Sequence, residues 1–296
     1  MKAPLDPVSK KLVRLALQED LGKAGDLSTR HFLPPGLRLR ARFLVKSDGV
    51  LAGTAAAAEV FRLAAPRARL SWLRRDGSFV RAGTVVARVT GGRELLTAER
   101  TALNFLQRLS GIATLTRAYV ERTRGTRARI YDTRKTAPGF RALEKAAVRA
   151  GSGRNHRAGL HDMVMLKDNH LSAASPAALA RRLAAFRRRR PRVPVEIEAR
   201  DHAEVELAAR LGAEVVLLDN MPPAALRREI RWLRRSAPRA EIEVSGGIAL
   251  SEVRRLARLG PDRISVGRLT HSAPSLDISM KIDGRGPRPP RGASRP

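Results

Sequence analysis

The chain has 296 residues, of which 43% are hydrophobic and 29% charged, so its composition is that of a globular protein with one or two domains. It contains no cysteine, which excludes a disulfide framework, a thiol nucleophile and a cysteine-ligated metal. No run of about 18 apolar residues occurs, and residues 1–6 lack the apolar core of a secretory signal. We therefore expect no membrane association and a cytoplasmic location.

Positive charge is the unusual property of this chain. Its 58 basic residues face 28 acidic ones, for a formal net charge of +30. Phosphate contacts supply most non-specific affinity for nucleic acids, so a nucleic-acid-binding protein is one hypothesis. Aromatic residues make up only 4%, however, and they do not alternate with basic ones as base-stacking surfaces require. We interpret the arginines of 177–190 and 224–235 as solvated helix faces and expect no specific nucleic-acid partner.

The first part of the chain mixes helices with strands. Residues 7–21 predict a helix, with proline near its start and Gly22 after its end. Residues 37–46 alternate apolar and basic side chains, the period of a half-buried strand. The other predicted elements are a helix over 54–64, a hairpin-like pair of short strands around Gly83 within 76–90, and a long helix over 94–120.

From about residue 128 the pattern becomes strand, loop and helix, repeated. The predicted strands are 129–133, 163–167, 193–199, 214–219, 241–245 and 263–267, separated by helices over 138–150, 175–190, 201–211, 222–236 and 250–259. Short buried strands that alternate with helices imply parallel pairing through crossovers. Six strands are too few for a closed eight-stranded barrel, so we predict an incomplete one. The Pro/Gly/Arg-rich residues 283–296 predict a disordered tail.

Chemically active side chains gather where these strands end. They are Thr133 to Thr136, Lys167 to His170, Glu196 and Glu198, Asp219 and Asn220, Ser245 to Gly247, and Ser265 to Gly267. In α/β barrels the active site lies at the carboxyl ends of the strands. Cations, acids and two glycine loops at this edge predict a pocket for a highly anionic substrate, with carboxylates available for a divalent metal.

Each strand end also has a second interpretation. Asp219 and Asn220 can begin a turn, and Ser245 to Gly247 can be a tight turn or a phosphate cradle at a helix start. Lys167 is also a candidate for a Schiff base with a carbonyl substrate. A glutamate on a short apolar strand, such as Glu196, is harder to explain without function because buried carboxylates need a partner.

Three histidines, His156, His161 and His170, lie close together in the sequence and raise the question of zinc. Arginines flank His156 on the chain and would repel a divalent cation, and no HxH or HExxH spacing occurs. We therefore expect no zinc site. The chain also lacks a nucleophile elbow, a P-loop and a dinucleotide-binding glycine motif.

Taken together, these motifs resemble the quinolinate phosphoribosyltransferase family. The matching stretches are 19–22 with Gly25 and Asp26, 98–114, 132–141, 153–160, 166–170, 217–221, 244–248 and 264–279. They follow the family's order over roughly 7–282. The stretches AERTALNFLQRLSGIAT at 98–114 and DTRKTAPGFR at 132–141 are long and specific, whereas LDN and SGG are informative only in their company.

The resemblance implies an N-terminal α/β sandwich domain and a C-terminal incomplete α/β barrel of six or seven strands. The implied limits are 1–112 for the first domain, completed by 271–282, and 113–270 for the barrel. It implies a homodimer with shared active sites, sometimes assembled further into a hexamer. The implied reaction joins quinolinate to phosphoribosyl pyrophosphate with Mg²⁺ and releases pyrophosphate and carbon dioxide, giving nicotinate mononucleotide for NAD synthesis.

The resemblance also assigns roles to individual residues. Lys135, Glu198 and Asp219 match catalytic positions, and the two acids lie near magnesium, with direct or water-mediated contact left open. Arg100 matches an arginine that reaches the site of the partner subunit. The implied substrate-binding residues are Arg100, Thr133, Arg134, Lys135, His156, Arg157, Lys167, Glu198, Asp219, Ser245, Gly246, Gly247, Val266, Gly267 and Arg268.

This chain departs from the family pattern at Ser152, His161 and Met163, where glycine, tyrosine and glycine are usual. None of these departures removes a charged substrate ligand. A paralogue associated with molybdenum transport shares some of the motifs and is the alternative within the fold. The intact Lys167-Asp168-Asn169 sequence favours quinolinate.

Overall fold

The computed structural model describes residues 5–285, which form two compact units. Within the described residues, the first unit contains the chain up to Leu115, then Ala137–Ser152, then the residues from Ala273 onward. The second contains Thr116–Thr136 and Gly153–Ser272. The sequence pattern does not predict that 137–152 belongs to the first unit, and the domain limits at 112 and 270 stay predictions.

The first unit is built from helices and antiparallel strands. They are α1 (Pro7–Leu21), α2 (Leu27–Phe32), β1 (Leu39–Val45), β2 (Gly49–Val50), α3 (Thr54–Ala64), β3 (Arg69–Trp72), β4 (Phe79–Val80), β5 (Val85–Gly91), most of α4 (Glu94–Arg122), α5 (Arg141–Ala150) and β12 (Ile278–Arg285). The start of α1 is set by Asp6, whose side chain accepts a hydrogen bond from Ser9 N at 3.0 Å, and by Pro7. Gly22, with φ +50°, ends the helix.

The main sheet of this unit has the strand order β12-β1-β5-β3. Strand β1 buries alternate side chains, among them Phe43, whose ring meets that of Phe61 on α3 edge to face at 5.8 Å. Strand β12 pairs antiparallel with β1 and brings Ile278 opposite Val45. Residues 283–285 of the predicted tail therefore belong to a strand, which corrects that part of the prediction, and 286–296 lie outside the described residues.

The predicted hairpin around Gly83 is wrong. Strand β4 pairs with β2, whereas β5 pairs with β1 and β3. The two runs thus enter different sheets, although Gly83 does form a turn with φ +83° between them. The alternation of side chains identifies the strands, and the glycine identifies the turn. A strand as short as Phe79–Val80, however, does not indicate which strand it pairs with.

The second unit contains a six-stranded parallel sheet with the order β6-β11-β10-β9-β8-β7. Its elements are β6 (Arg129–Tyr131), β7 (Val164–Leu166), α6 (Asp168–Ser172), α7 (Pro176–Arg189), β8 (Val195–Ala199), α8 (His202–Arg210), β9 (Val215–Asp219), α9 (Pro223–Ser236), β10 (Glu241–Ser245), α10 (Val253–Ala257), β11 (Arg263–Ser265) and α11 (Arg268–His271). The alternation and the six strands confirm the predicted incomplete barrel, whose edges β6 and β7 do not pair. Among the described residues, no helix is long and apolar enough to cross a membrane.

The central strands of this sheet are almost entirely buried. All residues of β8, with the sequence VEIEA, are buried. So are all but the last residue of β9, with the sequence VVLLD. Parallel strands covered on both faces normally consist of continuous apolar residues. Glu196 and Glu198 interrupt that pattern, and each therefore needs a partner inside the protein.

Candidate active site

A cleft of about 630 Å³ opens in the second unit, lined by residues at the carboxyl ends of the parallel strands. The sequence-predicted residues that line it are Thr133, Arg134, Lys135, His156, Arg157, Lys167, Glu198, Asp219, Ser245, Gly246, Gly247, Val266, Gly267 and Arg268. Arg100 is exposed on α4, in the first unit, and is not among the lining residues. Lining residues that the sequence did not single out as ligands include Asn220, Glu243 and His271.

Two arginines form the cationic wall of this cleft. Arg157 Nη1 donates to the backbone oxygen of Met163 at 3.2 Å. Burial and the neighbouring Arg134 guanidinium lower the pKa of Arg157, and the Glu196 carboxylate partly offsets them. The buried Nε of Arg134 has no hydrogen-bond partner in the described part of the chain. Two adjacent guanidinium groups, one with an unused donor, suit an anion with planar carboxylates.

Lys167 and Glu198 form an ion pair at the end of β7 and β8. The Nζ–Oε2 distance is 2.5 Å, and the Glu198 side chain is only 10% exposed. A Schiff base requires an amine free to attack a carbonyl, whereas Lys167 Nζ donates a hydrogen bond to Glu198 Oε2. The geometry therefore favours an electrostatic role for Lys167 over the covalent alternative.

Asp219 is held at the end of β9 by the next residue. Asn220 Nδ2 donates to Asp219 Oδ2 at 2.6 Å, and Asn220 N donates to the backbone oxygen of Ser245 at 3.0 Å. Asn220 has φ +54°, a left-handed conformation that asparagine tolerates better than most residues. Its role is detectable in the sequence only as an Asp-Asn pair at a strand end. The Asp219-Asn220 pair does more than begin a turn, because Asn220 links Asp219 to Ser245 at the end of β10.

Two glycine-containing loops complete the cleft. Gly246 and Gly247 have φ +108° and +56°, and α10 begins only at Val253. Irregular turns separate the Ser245 to Gly247 loop from α10, so the loop does not lie directly at a helix start. The second loop, at Val266 and Gly267, leads into α11, and α11 is tied to the loop after β6 because Thr270 Oγ1 donates to the backbone oxygen of Lys135 at 2.7 Å.

A cluster of buried ionisable groups underlies the cleft. His156 Nε2 lies 2.8 Å from Glu196 Oε2 and 3.5 Å from Glu243 Oε1, and both glutamates are fully buried. Ser265 Oγ donates a hydrogen bond to Glu243. We call His156, Glu196 and Glu243 the buried triad. The sequence does not reveal Glu243, because EIEVS is typical of an alternating strand with both acids on its polar face, whereas the structure buries Glu243.

The donor atoms of the buried triad lie within 4.8 Å of one another, so a metal has to be considered. The three side chains already contact each other, and Arg263 Nη1 is 3.8 Å from Glu243. A guanidinium at this distance opposes a bound cation by like-charge repulsion. The geometry therefore favours an ion-pair cluster over a zinc site.

Burial and the Glu196 charge raise the pKa of Glu243 from 4.5 to about 7, against the opposing effects of His156 and Ser265. Burial alone would lower the pKa of His156, but Glu196 and Glu243 raise it above 6.5. Both folded groups thus hold protons that the unfolded chain has released, so the free energy of unfolding falls as pH rises from about 4.5 through 7.

Glu243→Gln, which does not titrate, is expected to remove a fall on the order of 2–3 kcal/mol from this pH profile. Urea unfolding between about pH 5 and 8 measures it. Glu121→Gln, near the end of α4 where Glu121 pairs with the exposed Arg124, is the control and should retain the wild-type slope. Equal slopes for wild type and Glu243→Gln would refute the assignment.

The parallel sheet, with a cation-lined cleft at its carboxyl edge, is that of an α/β enzyme. Family models described as the N-terminal and C-terminal domains of quinolinate phosphoribosyl transferase match residues 26–110 and 112–281. The chain belongs to this family.

Similar proteins cover nearly the whole chain. "Nicotinate-nucleotide pyrophosphorylase [carboxylating]" of Mycobacterium leprae is 39% identical over 279 residues, which are 93% of this chain and 97% of the relative. The chloroplastic protein of that name from Oryza sativa is 39% identical over 93% of this chain and 77% of its own length. The solved nicotinate-nucleotide pyrophosphorylase of Francisella tularensis superposes with a TM-score of 0.87 at 32% identity, covering 95% of this chain and 98% of that one.

Proposed function

We propose that the protein transfers the phosphoribosyl group of phosphoribosyl pyrophosphate to quinolinate with loss of carbon dioxide, giving nicotinate mononucleotide and pyrophosphate for NAD biosynthesis. This proposal rests on one cleft, which brings together two arginines, a lysine paired with a glutamate, two further acids and two glycine loops. The names of relatives that align with nearly all of this chain support it. The nucleic-acid alternative has no comparable support, whereas Arg134, Arg157 and Lys167 line a cleft suited to a small anion.

Quinolinate carries two adjacent carboxylates on a pyridine ring. Arg134 and Arg157 can pair with these carboxylates in the planar, bidentate manner that lysine cannot reproduce. This contact orients the ring nitrogen toward the ribose. Lys167, held by Glu198, adds a third positive charge at the same cleft. Because the alternative substrate nicotinate lacks the second carboxylate, it loses part of this recognition.

The first step is attack of the pyridine nitrogen on the anomeric carbon while pyrophosphate leaves. Positive charge develops on the ribose in an oxocarbenium-like transition state. Glu198 and Asp219 are the acids in the cleft that can stabilise this charge. Lys135 balances negative charge on the leaving group, and the loops at Gly246 and Gly267 hold the ribose phosphate.

Decarboxylation follows at the ring carbon next to the nitrogen. Once glycosylated, that nitrogen is cationic and stabilises the electron pair that departing carbon dioxide leaves on the ring carbon. A proton from water then binds that carbon in place of the carboxylate and gives nicotinate mononucleotide. No residue has to act as a covalent nucleophile. The contribution of the protein is therefore orientation and electrostatic stabilisation.

The acids of the cleft also fit Mg²⁺, which prefers carboxylate oxygens and retains several waters. Lys167 donates a hydrogen bond to Glu198 Oε2, and Asn220 donates one to Asp219 Oδ2. The other oxygen of each carboxylate is therefore the one that can bind the ion. We propose that these two residues hold the ion, directly or through water. When bound, it would neutralise charge on the pyrophosphate group.

We also propose a homodimer in which Arg100 enters the cleft of the partner subunit, with a hexamer as a further assembly. Arg100 is exposed and absent from the lining of the cleft in its own chain, which leaves it available for this role. A cytoplasmic location remains a prediction, since the names of plant relatives place those proteins in chloroplasts or mitochondria.

The decisive assay supplies quinolinate, phosphoribosyl pyrophosphate and Mg²⁺ to the purified protein. We expect nicotinate mononucleotide and an equal amount of carbon dioxide, measured from ring-labelled and carboxyl-labelled quinolinate. Chelation of the metal should abolish turnover, and nicotinate should be a poor substrate. Equal turnover of nicotinate would sink the proposal, and no turnover of quinolinate would favour the molybdenum-associated paralogue.

A further inference from the structure

Both ring nitrogens of His156 are already committed inside the protein. Arg157 N donates to His156 Nδ1 at 2.8 Å, and Nε2 faces Glu196 at 2.8 Å. The backbone of His156 is also fixed, because its N–H donates to Asp132 Oδ1 at 2.8 Å. A substrate carboxylate could use this imidazole only by displacing a protein partner. The ring is therefore placed to hold the chain next to Arg157 and to connect it to Glu196.

Charge explains why such a connection is needed. Partial burial and the neighbouring Arg134 guanidinium disfavour the charge of Arg157, and both arginines line the same cleft. Glu196 is the buried carboxylate that favours the Arg157 charge. Glu243, on β10, lies 3.5 Å from the same His156 Nε2 that Glu196 contacts. Ser265 and Arg263 hold Glu243 in place.

We propose that Glu196, held through His156 against Glu243, is the counter-charge that keeps Arg134 and Arg157 together as a clamp for two adjacent carboxylates. His156 is then a positioning residue and not a substrate ligand. This inference rests on the proposed function, because it assigns the arginine pair to the dicarboxylate. It adds the acidic support beneath the clamp, without which two neighbouring guanidinium groups would separate.

Loss of the Glu196 charge is expected to change anion binding in the direction opposite to that of simple electrostatics. Removing a buried negative charge near an anion site strengthens anion binding if the charge acts only through space. If the charge holds the arginines in place, its removal weakens binding instead. Glu196→Gln separates the two cases, since the amide keeps the size of the carboxylate beside His156 Nε2 while the negative charge is lost.

The experiment measures binding of phthalate, which has the two adjacent carboxylates but no ring nitrogen and cannot react. Calorimetry should show about tenfold weaker binding for Glu196→Gln and a smaller loss, about threefold, for Glu243→Gln. In turnover assays the KM for quinolinate should rise by the same factors, while the KM for phosphoribosyl pyrophosphate stays within about twofold. Unchanged or tighter phthalate binding by folded Glu196→Gln would overturn the inference.

Glu229→Gln is the matched control. Glu229 is fully buried in the same unit and contacts His202 and Arg228 at 2.7 Å, but it does not line the cleft. It should leave phthalate binding unchanged even if stability falls. His156→Gln, which can still reach toward Glu196, should bind phthalate better than His156→Ala if the connection matters; equal binding by the two would contradict it.

These outcomes separate the inference from the proposed function. If the wild type binds phthalate and Glu196→Gln does not, while quinolinate is not turned over, the clamp stands and the proposed reaction fails. If quinolinate is turned over but Glu196→Gln binds phthalate as the wild type does, the reaction stands and the inference fails. If the wild type neither binds phthalate nor turns over quinolinate, both fail.

Discussion

Mixing Arg100→Ala protein with Lys167→Ala protein is expected to restore about a quarter of wild-type activity, although each variant alone loses most of it. Each substitution removes a charge-assisted contact worth about 1.5–3 kcal/mol, or roughly 10- to 150-fold in kcat/KM. If Arg100 serves the partner subunit, a mixed dimer has one site with both lesions and one with neither. About half the dimers are mixed after subunit exchange, which gives the quarter.

The measurement is steady-state turnover after exchange, with mixed dimers confirmed by mass spectrometry of differently tagged chains. Arg122→Ala, at the exposed end of the same helix, is the control and should retain full activity alone. No recovery despite confirmed exchange would mean that Arg100 acts within its own subunit or only in folding.

Gly246→Ala is expected to reduce kcat/KM by at least about 100-fold, the scale set by a displacement of about 1 Å in a catalytic constellation. A Cβ atom at Gly246 would overlap Asn220 Oδ1 and lie 2.7 Å from Asn220 N. The backbone must move to relieve that contact, and Asn220 holds Asp219. The substitution therefore disturbs an acid of the cleft and the loop after β10 together, which steady-state kinetics would detect.

Gly247→Ala provides the comparison. Gly247 also has a positive φ, +56°, but a Cβ atom there meets nothing within 4 Å. This variant carries the conformational cost alone, about 1 kcal/mol, and should keep activity within about tenfold of the wild type. Similar losses in the two variants would show that backbone strain, not the approach of Asn220, controls the loop.

The sequence predicts the elements whose local signals agree. Helix α1 begins and ends where predicted because Asp6, Pro7 and Gly22 all mark its limits. Strand β10 was located to the residue, since polar and turn residues bound it on both sides. The cleft followed because parallel strands place their carboxyl ends at one edge, so that Lys167 and Glu198 meet although 31 positions separate them.

Other features depend on information that local pattern does not contain. Strand β12 was missed because Lys281 and Asp283 interrupt its apolar residues, and its backbone pairing with β1 is what makes it a strand. The partners of β4 and β5 depend on tertiary contacts, so the hairpin prediction failed. Predicting the buried triad requires knowing that His156 comes within 2.8 Å of Glu196. This contact joins a loop residue to strand β8, and no spacing rule in the sequence encodes it.

The pairing of β12 with β1 has a consequence for how the protein is made. Residues 39–45 emerge from the ribosome early, yet one of their two strand partners, 278–285, is synthesised after every strand of the parallel sheet. The sheet of the second unit can thus assemble during translation, while β1 waits with one edge unpaired. Exposed strand edges invite association with other chains, so this interval is when the nascent protein most needs protection by chaperones.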